Sequence, residues 1–344
     1  MKKHILSFVK FGVLFLIIAL FIGKVYDVGV HRPPLKYANI PVLTQDYINE
    51  IGKGNNDMGV SYVEQGPFNW NNDDDFAYEK DGWAYEEDAD FIVYYKRDKD
   101  AIWQTNAQEV LTNARTNIGL LEDLFGKYYY ASDMNGRKLA IYLPDTPSLY
   151  KETICSLLGV SSYDTKSVAG LIVTEVGSLG CKTKGIVLNP TCFDEEPTSA
   201  NGYITVLKHE MNHYVFFSSL DYSKDVKHYL WVSEGIAEYF CNPSAKYLTT
   251  DDVAFIDNKC RLDAEFPRER NSAYWAGESF FRHMEKTDGA QAVSKFITDA
   301  FTLQTDSVFA INAMDVNQLH QEWVTSIKET ALPSYEAPSE ISLQ

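Results

Sequence analysis

The stretch KHEMNHYVFF, residues 208–217, holds two histidines four positions apart, with a glutamate directly after the first. Apolar residues recur at helical spacing through the surrounding run, so we predict a helix here. His209 and His213 then project from one face of that helix, about one turn apart. Two imidazoles in this arrangement can bind one tetrahedral zinc ion. The alternative is two polar residues on one turn of an ordinary helix, and a third ligand would decide between these interpretations.

Glu210 follows the first histidine and lies about 100° further round the helix. From that position a carboxylate can reach a metal-bound water without taking a ligand position. We therefore predict that Glu210 acts on a metal-bound water.

Catalytic zinc usually takes three protein ligands, so a third ligand is expected downstream. The pattern HExxHxxGxxH fails, because Phe216 and Ser219 stand where it needs glycine and histidine. A second helix offers the other solution. Residues 231–240 read WVSEGIAEYF, and 20 residues separate the second histidine from Glu234, which is enough for a turn and a facing antiparallel helix. Alone, EGIAEY is typical of a solvated helix face, but with the two histidines it predicts Glu234 as the third ligand.

Glu238 lies one turn after Glu234 on the same face of this second helix. A carboxylate there can accept the free ring N–H of a ligand histidine, which we expect to be His209, and so fix the tautomer and orientation of the ring.

HEMNHY followed by SEGIAEYF resembles the gluzincin metallopeptidases, and is most similar to the microbial collagenase-type catalytic domain and its peptidase-MA-like relatives. The resemblance is strong over about 205–240 and looser over 90–204 and 272–330. It implies a thermolysin-like α+β domain that hydrolyses peptide bonds with Zn²⁺. It also implies a role for each motif residue: His209, His213 and Glu234 as zinc ligands, Glu210 as general base, and Glu238 as the support of a ligand histidine.

Peptide hydrolysis also needs a donor to the oxyanion of the transition state. Related gluzincins present a phenol from a segment well after the glutamate helix, and by this resemblance our candidate is Tyr274 in SAYWAGESFF. His228 and Tyr229 are alternatives, and a tyrosine is by default an amphipathic packing residue. Peptide substrates of such enzymes lie along an edge strand ahead of the active helix. By its position we expect that strand to be GIVLN, residues 185–189.

The order of the predicted elements indicates an α+β fold, in which a small mixed sheet precedes a mostly helical half. The metal site is expected near their junction. We divide the chain into a membrane anchor or signal segment at 1–24, an acidic juxtamembrane spacer at 25–88, a mixed α/β subdomain at 89–198, a helical subdomain with the active-site helix at 199–333, and a tail at 334–344.

The N-terminal segment is basic and then apolar, and it ends in FGVLFLIIALFIG. Its length fits an uncleaved anchor or a cleaved signal peptide, and the lack of a small-x-small cleavage pattern favours the anchor. We therefore expect the catalytic domain to lie outside the cytoplasm, or to be secreted if the segment is cleaved. The formal net charge of −17 argues against nucleic acid as a partner.

The five cysteines include no CxxC pair, so neither a cysteine zinc knuckle nor a dense disulfide framework is indicated. Cys181 and Cys192 could close a loop in an oxidising compartment, and buried free thiols are the other interpretation.

These features predict an anchored zinc peptidase that acts on peptide or protein substrates. No GxMxN amine-recognition pattern precedes the active helix, which favours an endopeptidase or a narrow processing peptidase over an aminopeptidase. One alternative is an idle relative that binds partners at the cell surface, but such a protein has no need for Glu210. Another is a zinc hydrolase of a non-peptide bond.

Overall fold

The computed structural model describes residues 60–64, 82–96, 101–125, 138–166, 168–177, 180–221, 228–242 and 247–332. These residues belong to one compact unit with a mixed α+β fold, which confirms the predicted class. The predicted membrane segment at 1–24, residues 25–59 and 65–81 of the predicted spacer, and the tail at 334–344 lie outside the described residues. Within the described part of the chain, no helix has both the length and the apolar character needed to cross a membrane.

Six strands form one mixed sheet with the order β1-β5-β6-β4-β3-β2. The strands are β1 Val60–Glu64, β2 Trp83–Glu87, β3 Phe91–Lys96, β4 Leu139–Leu143, β5 Gly170–Gly177 and β6 Gly180–Leu188. The pairs β1–β5, β3–β4 and β4–β6 are parallel, whereas β2–β3 and β5–β6 are antiparallel. Both edge strands, β1 and β2, come from the range 25–88, which we predicted as a spacer.

The composition of β2 explains why the sequence does not predict a strand in this part of the spacer. In WAYEE only Trp83 is buried, while Tyr85 and Glu87 are exposed. An edge strand with a solvated side needs few apolar residues. Every residue of β4 is buried, in contrast, because that strand is central and helices pack on both faces of the sheet.

The segment GIVLN lies mostly within β6, and our prediction that it forms the edge strand is wrong. Ile186 pairs with Ile172 of β5 on one side and with Ile141 of β4 on the other. Alternation buries Ile186 in a central strand and in an edge strand alike, so the pattern could not distinguish the two. The strand nearer the margin is β5, and β1 covers its outer edge from Ile172 to Val176.

Nine α-helices complete the described part of the fold. They are α1 Ala101–Phe125, α2 Pro147–Leu158, α3 Tyr203–Ser219, α4 Leu230–Cys241, α5 Thr250–Lys259, α6 Ser272–Asp288, α7 Ala290–Ala300, α8 Thr305–Ile311 and α9 Val316–Lys328. Helix α3 packs against α1, β5 and β6 and also against α4. It is therefore buried around most of its circumference.

Helices α4 and α6 meet through glycines. A Cβ atom added to Gly235 would lie 2.6 Å from the Cα of Gly277, and one added to Gly277 would lie 2.6 Å from the carbonyl oxygen of Trp231. Real Cβ atoms essentially never come this close to another heavy atom, so a side chain at either position would force the helices apart. The contact sets the position of α4, which carries Glu234 and Glu238.

Candidate metal centre

Three potential ligand atoms converge between α3 and α4. The Nε2 atoms of His209 and His213 are 3.0 Å apart. The Oε2 atom of Glu234 is 3.3 Å from the first and 3.2 Å from the second. The side chains of His213 and Glu234 are fully buried, and that of His209 is 11% exposed. The structure thus brings together the three residues predicted as zinc ligands.

These distances fit a tetrahedral zinc ion. Bonds of about 2.0–2.1 Å at the tetrahedral angle place two ligand atoms about 3.3 Å apart, which is close to all three separations. The second carboxylate oxygen of Glu234 is buried and has no hydrogen-bond partner among the described residues. A buried, unsatisfied oxygen beside two imidazoles is costly unless a cation lies nearby. The donor set, two histidines and a carboxylate, is one that catalytic zinc sites use.

Glu234 is held as a carboxylate by its neighbours. Burial by itself would raise the pKa of the Glu234 carboxyl. The positive charges of His213 and His209, and their hydrogen bonds to the carboxylate, outweigh burial and lower this pKa to about 2. Glu234 is therefore ionised and available as a ligand at neutral pH.

The other ring nitrogen of His209 faces Glu238, as predicted. The Nδ1 atom lies 3.1 Å from Oε1 of Glu238, whose Oε2 accepts a hydrogen bond of 2.8 Å from the side-chain amide of Asn242. A proton on Nδ1 leaves Nε2 free to bind a metal. The thiol of Cys241 completes a second cluster with His209 and Glu238, in which all three donor atoms lie within 4.8 Å of one another. For His213, Nδ1 has no partner among the described residues.

Glu210 lies in the same cleft but outside the converging ligand set. The residue is 3% exposed, and Oε2 of its carboxylate accepts a hydrogen bond of 2.9 Å from the backbone N–H of Ile172 in β5. Gly170 leaves room for it, since a Cβ there would lie 3.3 Å from Oε1 of Glu210 and 2.5 Å from a methyl carbon of Val206. Burial raises the pKa of Glu210 to about 7, so this carboxyl can exchange a proton near neutrality.

Tyr274, near the start of α6, stacks on the ring of His209 with centroids 6.0 Å apart and an angle of 11° between the planes. It also lines the cleft. The two alternatives lie elsewhere: the ring of His228 packs against Phe216, and the hydroxyl of Tyr229 donates to the carbonyl of Asp263. Tyr274 is the one of these three that the structure places beside the predicted ligands.

The cleft beside His209 and Glu210 has a volume of about 230 Å³. One wall is small and apolar, with Val168, Ala169 and Gly170 at the start of β5. The lining also includes the amide-bearing residues Asn201, Asn242 and Asn271 and the carboxylates of Glu210 and Glu238.

Sequence reasoning missed the residues that hold α4 in place. At its first turn, the N–H of Leu230 donates to both carboxylate oxygens of Glu265, at 3.0 and 2.9 Å. At its last turn, the guanidinium of Arg282 donates to the carbonyls of Tyr239 and Asn242. An acid at the N-terminus and a base at the C-terminus both complement the helix dipole. These residues lie far from α4 in the sequence, so no motif or spacing predicts that they contact it.

All five cysteines are free thiols in the structure. Cys181 donates a hydrogen bond to the carbonyl of Phe217, and Cys192 donates one to the carbonyl of Ala169. Of the two interpretations considered for these cysteines, the structure therefore shows buried thiols and no loop closed between Cys181 and Cys192. These thiols satisfy backbone carbonyls beside α3 and β5.

The residues above come from separate parts of the chain and meet at one cleft between the sheet and the helical half. His209 and His213 come from α3, Glu234 and Glu238 from α4, and Tyr274 from α6. No protein-family model matches this chain, and no curated protein matches its sequence.

Proposed function

We propose that the chain is a zinc-dependent peptidase of the gluzincin type with a thermolysin-like arrangement of sheet and helices. The observation that carries the proposal is the convergence of three ligand atoms, 3.0–3.3 Å apart, with a buried carboxyl that is not one of them in the same cleft. A structural zinc site closes its coordination with four protein ligands, whereas a hydrolytic site uses three. The second pattern matches the residues here.

His209, His213 and Glu234 would hold the metal. When bound, zinc would act as a Lewis acid that lowers the pKa of a water molecule to about 7 and polarises a carbonyl oxygen. The chain's own residues do the rest. Glu238 keeps the proton of His209 on Nδ1, so that Nε2 stays directed at the other ligand atoms. Burial of His213 and Glu234 excludes bulk water from that side of the centre.

Glu210 is the group that moves the proton. Its carboxylate takes a proton from the attacking water and later delivers it to the leaving amine nitrogen. The hydrogen bond from Ile172 fixes Oε2 against β5, so Oε1 is the atom available for the transfer. The pKa of about 7 belongs to the metal-free protein, and a nearby divalent cation would lower it by favouring the carboxylate.

Tyr274 supplies the hydroxyl that stabilises negative charge on the substrate oxygen. Its ring already lies against His209, and one such donor typically contributes about 3 kcal/mol to lowering the barrier. The carboxylates of Glu210 and Glu238 in the cleft disfavour acidic substrate side chains. We also propose that the basic and apolar segment at 1–24 anchors this catalytic unit outside the cytoplasm.

The test uses the full chain, loaded with zinc and incubated with a diverse peptide library that is read by mass spectrometry. Glu210→Gln keeps the size of the side chain and should slow cleavage by about 10²–10⁴-fold while zinc remains bound. Cleavage by the wild type alone supports the proposal and reports the specificity. Cleavage by both proteins contradicts the role of Glu210.

Two other results would overturn the peptidase proposal. A folded wild type that binds one zinc ion but cleaves no peptide favours a binding role or a non-peptide bond. A folded protein without affinity for zinc removes the metal centre itself. His213→Ala is the matched control, because it deletes one ligand and leaves Glu210 in place.

A further inference from the structure

We propose that Arg282 is a positioning residue that, through the end of α4 and Asn242, holds Glu238 and thereby orients the metal-binding ring of His209. The proposal rests on the metal centre proposed above. It adds two residues, Asn242 and Arg282, that no motif includes. Their role is to keep the ring of His209 in the orientation that binds the metal.

Each carboxylate oxygen of Glu238 has a partner. One oxygen faces Nδ1 of His209 at 3.1 Å, and the other accepts from the Asn242 amide at 2.8 Å. A side chain with several rotatable bonds fixes an imidazole only when it is itself fixed. Asn242 is the second contact that Glu238 needs, because without it one oxygen of a carboxylate on the cleft wall would be free to turn.

Asn242 in turn needs support because it lies beyond the helix. It is the C-cap of α4, with an extended backbone at φ −90° and ψ 125°. Its own N–H returns to the carbonyl of Glu238 at 3.0 Å. The carbonyls of the last turn have no intrahelical partner, so another group must satisfy them. Arg282 does so, by donating to the carbonyls of Tyr239 and Asn242.

Arg282 is itself held from three sides. Its guanidinium lies 4.5 Å from the centre of the Tyr239 ring. Its Nε lies 3.5 Å from an oxygen of the buried Glu278, which is close enough for an ion pair but is not a hydrogen bond, and its Nη1 lies 3.7 Å from the more exposed Glu285. One terminal nitrogen of the guanidinium donates to both carbonyls, while the group as a whole lies over the Tyr239 ring. An ammonium could reach the carbonyls but lacks the plane that stacks on the ring, so lysine should replace arginine only in part.

The contacts form one path from α6 to the metal: Arg282, the C-cap Asn242, the carboxylate Glu238 and the ring of His209. Outer partners of metal-binding histidines typically change metal affinity by about 10–100-fold when they are removed. We place Arg282 and Asn242 in that range, although neither touches the metal or the substrate.

The test measures the zinc dissociation constant of the full chain by competition with a chelator. Arg282→Met keeps the apolar stem and should weaken zinc binding by about 10–100-fold, with Arg282→Lys only partly restoring it. Asn242→Ala should have a similar effect, and the double variant should be little weaker than either single one, because both act on Glu238. Lys286→Met on the same helix is the control and should change affinity by less than about fivefold, since this side chain is exposed and donates to Ser326 of α9.

Wild-type zinc affinity in Arg282→Met, with metal-free protein that still unfolds cooperatively, would overturn the proposal. If that variant does not fold, Asn242→Ala decides, because it leaves the guanidinium contacts intact. NOE spectra of the metal-free protein separate this inference from the peptidase proposal. Loss of the contacts between the rings of His209 and Tyr274 in Arg282→Met supports positioning even if no peptide is cleaved, and unchanged contacts oppose it.

Discussion

A single methyl group at the contact between α4 and α6 should disrupt the candidate metal centre. In Gly235→Ala the new Cβ would lie 2.6 Å from the backbone of Gly277, and ordinary contact begins at 3.4 Å, so the helices must separate by about 0.8 Å. Glu234 precedes Gly235 and moves with α4. Zinc ligands keep their distances within about 0.2 Å, so this displacement pulls the carboxylate out of reach.

We expect zinc binding in Gly235→Ala to weaken by more than the roughly 10–100-fold that an outer partner costs. The free energy of unfolding of the metal-free protein should fall by about 1–3 kcal/mol, the usual effect of an overpacked core. Chelator competition gives the first quantity and urea unfolding gives the second.

Gly119→Ala is the matched control, because it makes the same change inside α1 at a position where an added Cβ meets no atom within 4 Å. Alanine is favoured over glycine in a helix by about 0.5–1 kcal/mol, so this variant should be slightly more stable and should bind zinc normally. Wild-type zinc affinity and stability in Gly235→Ala would refute the argument from close packing.

Three further outcomes are expected. Tyr274→Phe should lower kcat for peptide cleavage by about 10²–10³-fold with little change in KM, since the hydroxyl acts on the transition state, and an unchanged kcat would remove Tyr274 from the mechanism. Burial lowers the pKa of His228 from 6.5 to about 4. The unfolded chain therefore binds a proton below pH 6.5 that the folded chain binds only near pH 4, and stability should fall across that window by up to about 3 kcal/mol. Urea unfolding should show a shallower pH slope in His228→Gln, and equal slopes would contradict this. Zinc at 100 times its dissociation constant should raise the free energy of unfolding by about 2.7 kcal/mol, and thermal unfolding of His213→Ala should show no such gain.

Helical periodicity accounts for the part of the candidate site that could be predicted. Residues four apart share a face of any helix, so the pairs His209 and His213, and Glu234 and Glu238, follow once both segments are helical. The distance of 3.1 Å between Glu238 and His209 agrees with that reasoning. The α+β class followed from the same information, because strand-like runs precede the helical ones.

Contacts between distant segments account for the rest. Arg282 follows Asn242 by 40 residues, and only the packing of α6 on α4 brings them together. The strand order has the same origin, since an alternating apolar run reads alike in a central strand and at an edge. For this reason the sequence predicts GIVLN as the edge strand, whereas the structure has β1 at the edge and β5 next to it.

The parallel pairing of β1 with β5 bears on how this protein can be handled. A chain shortened to begin at residue 82 keeps every residue of the candidate metal centre, but it loses the five residues of β1. The backbone of β5 from Ile172 to Val176 then becomes an open edge. Such an edge pairs readily with another chain, so the shortened protein should aggregate through its sheet. Solubility of this domain thus depends on a short strand that contributes no residue to the candidate metal centre.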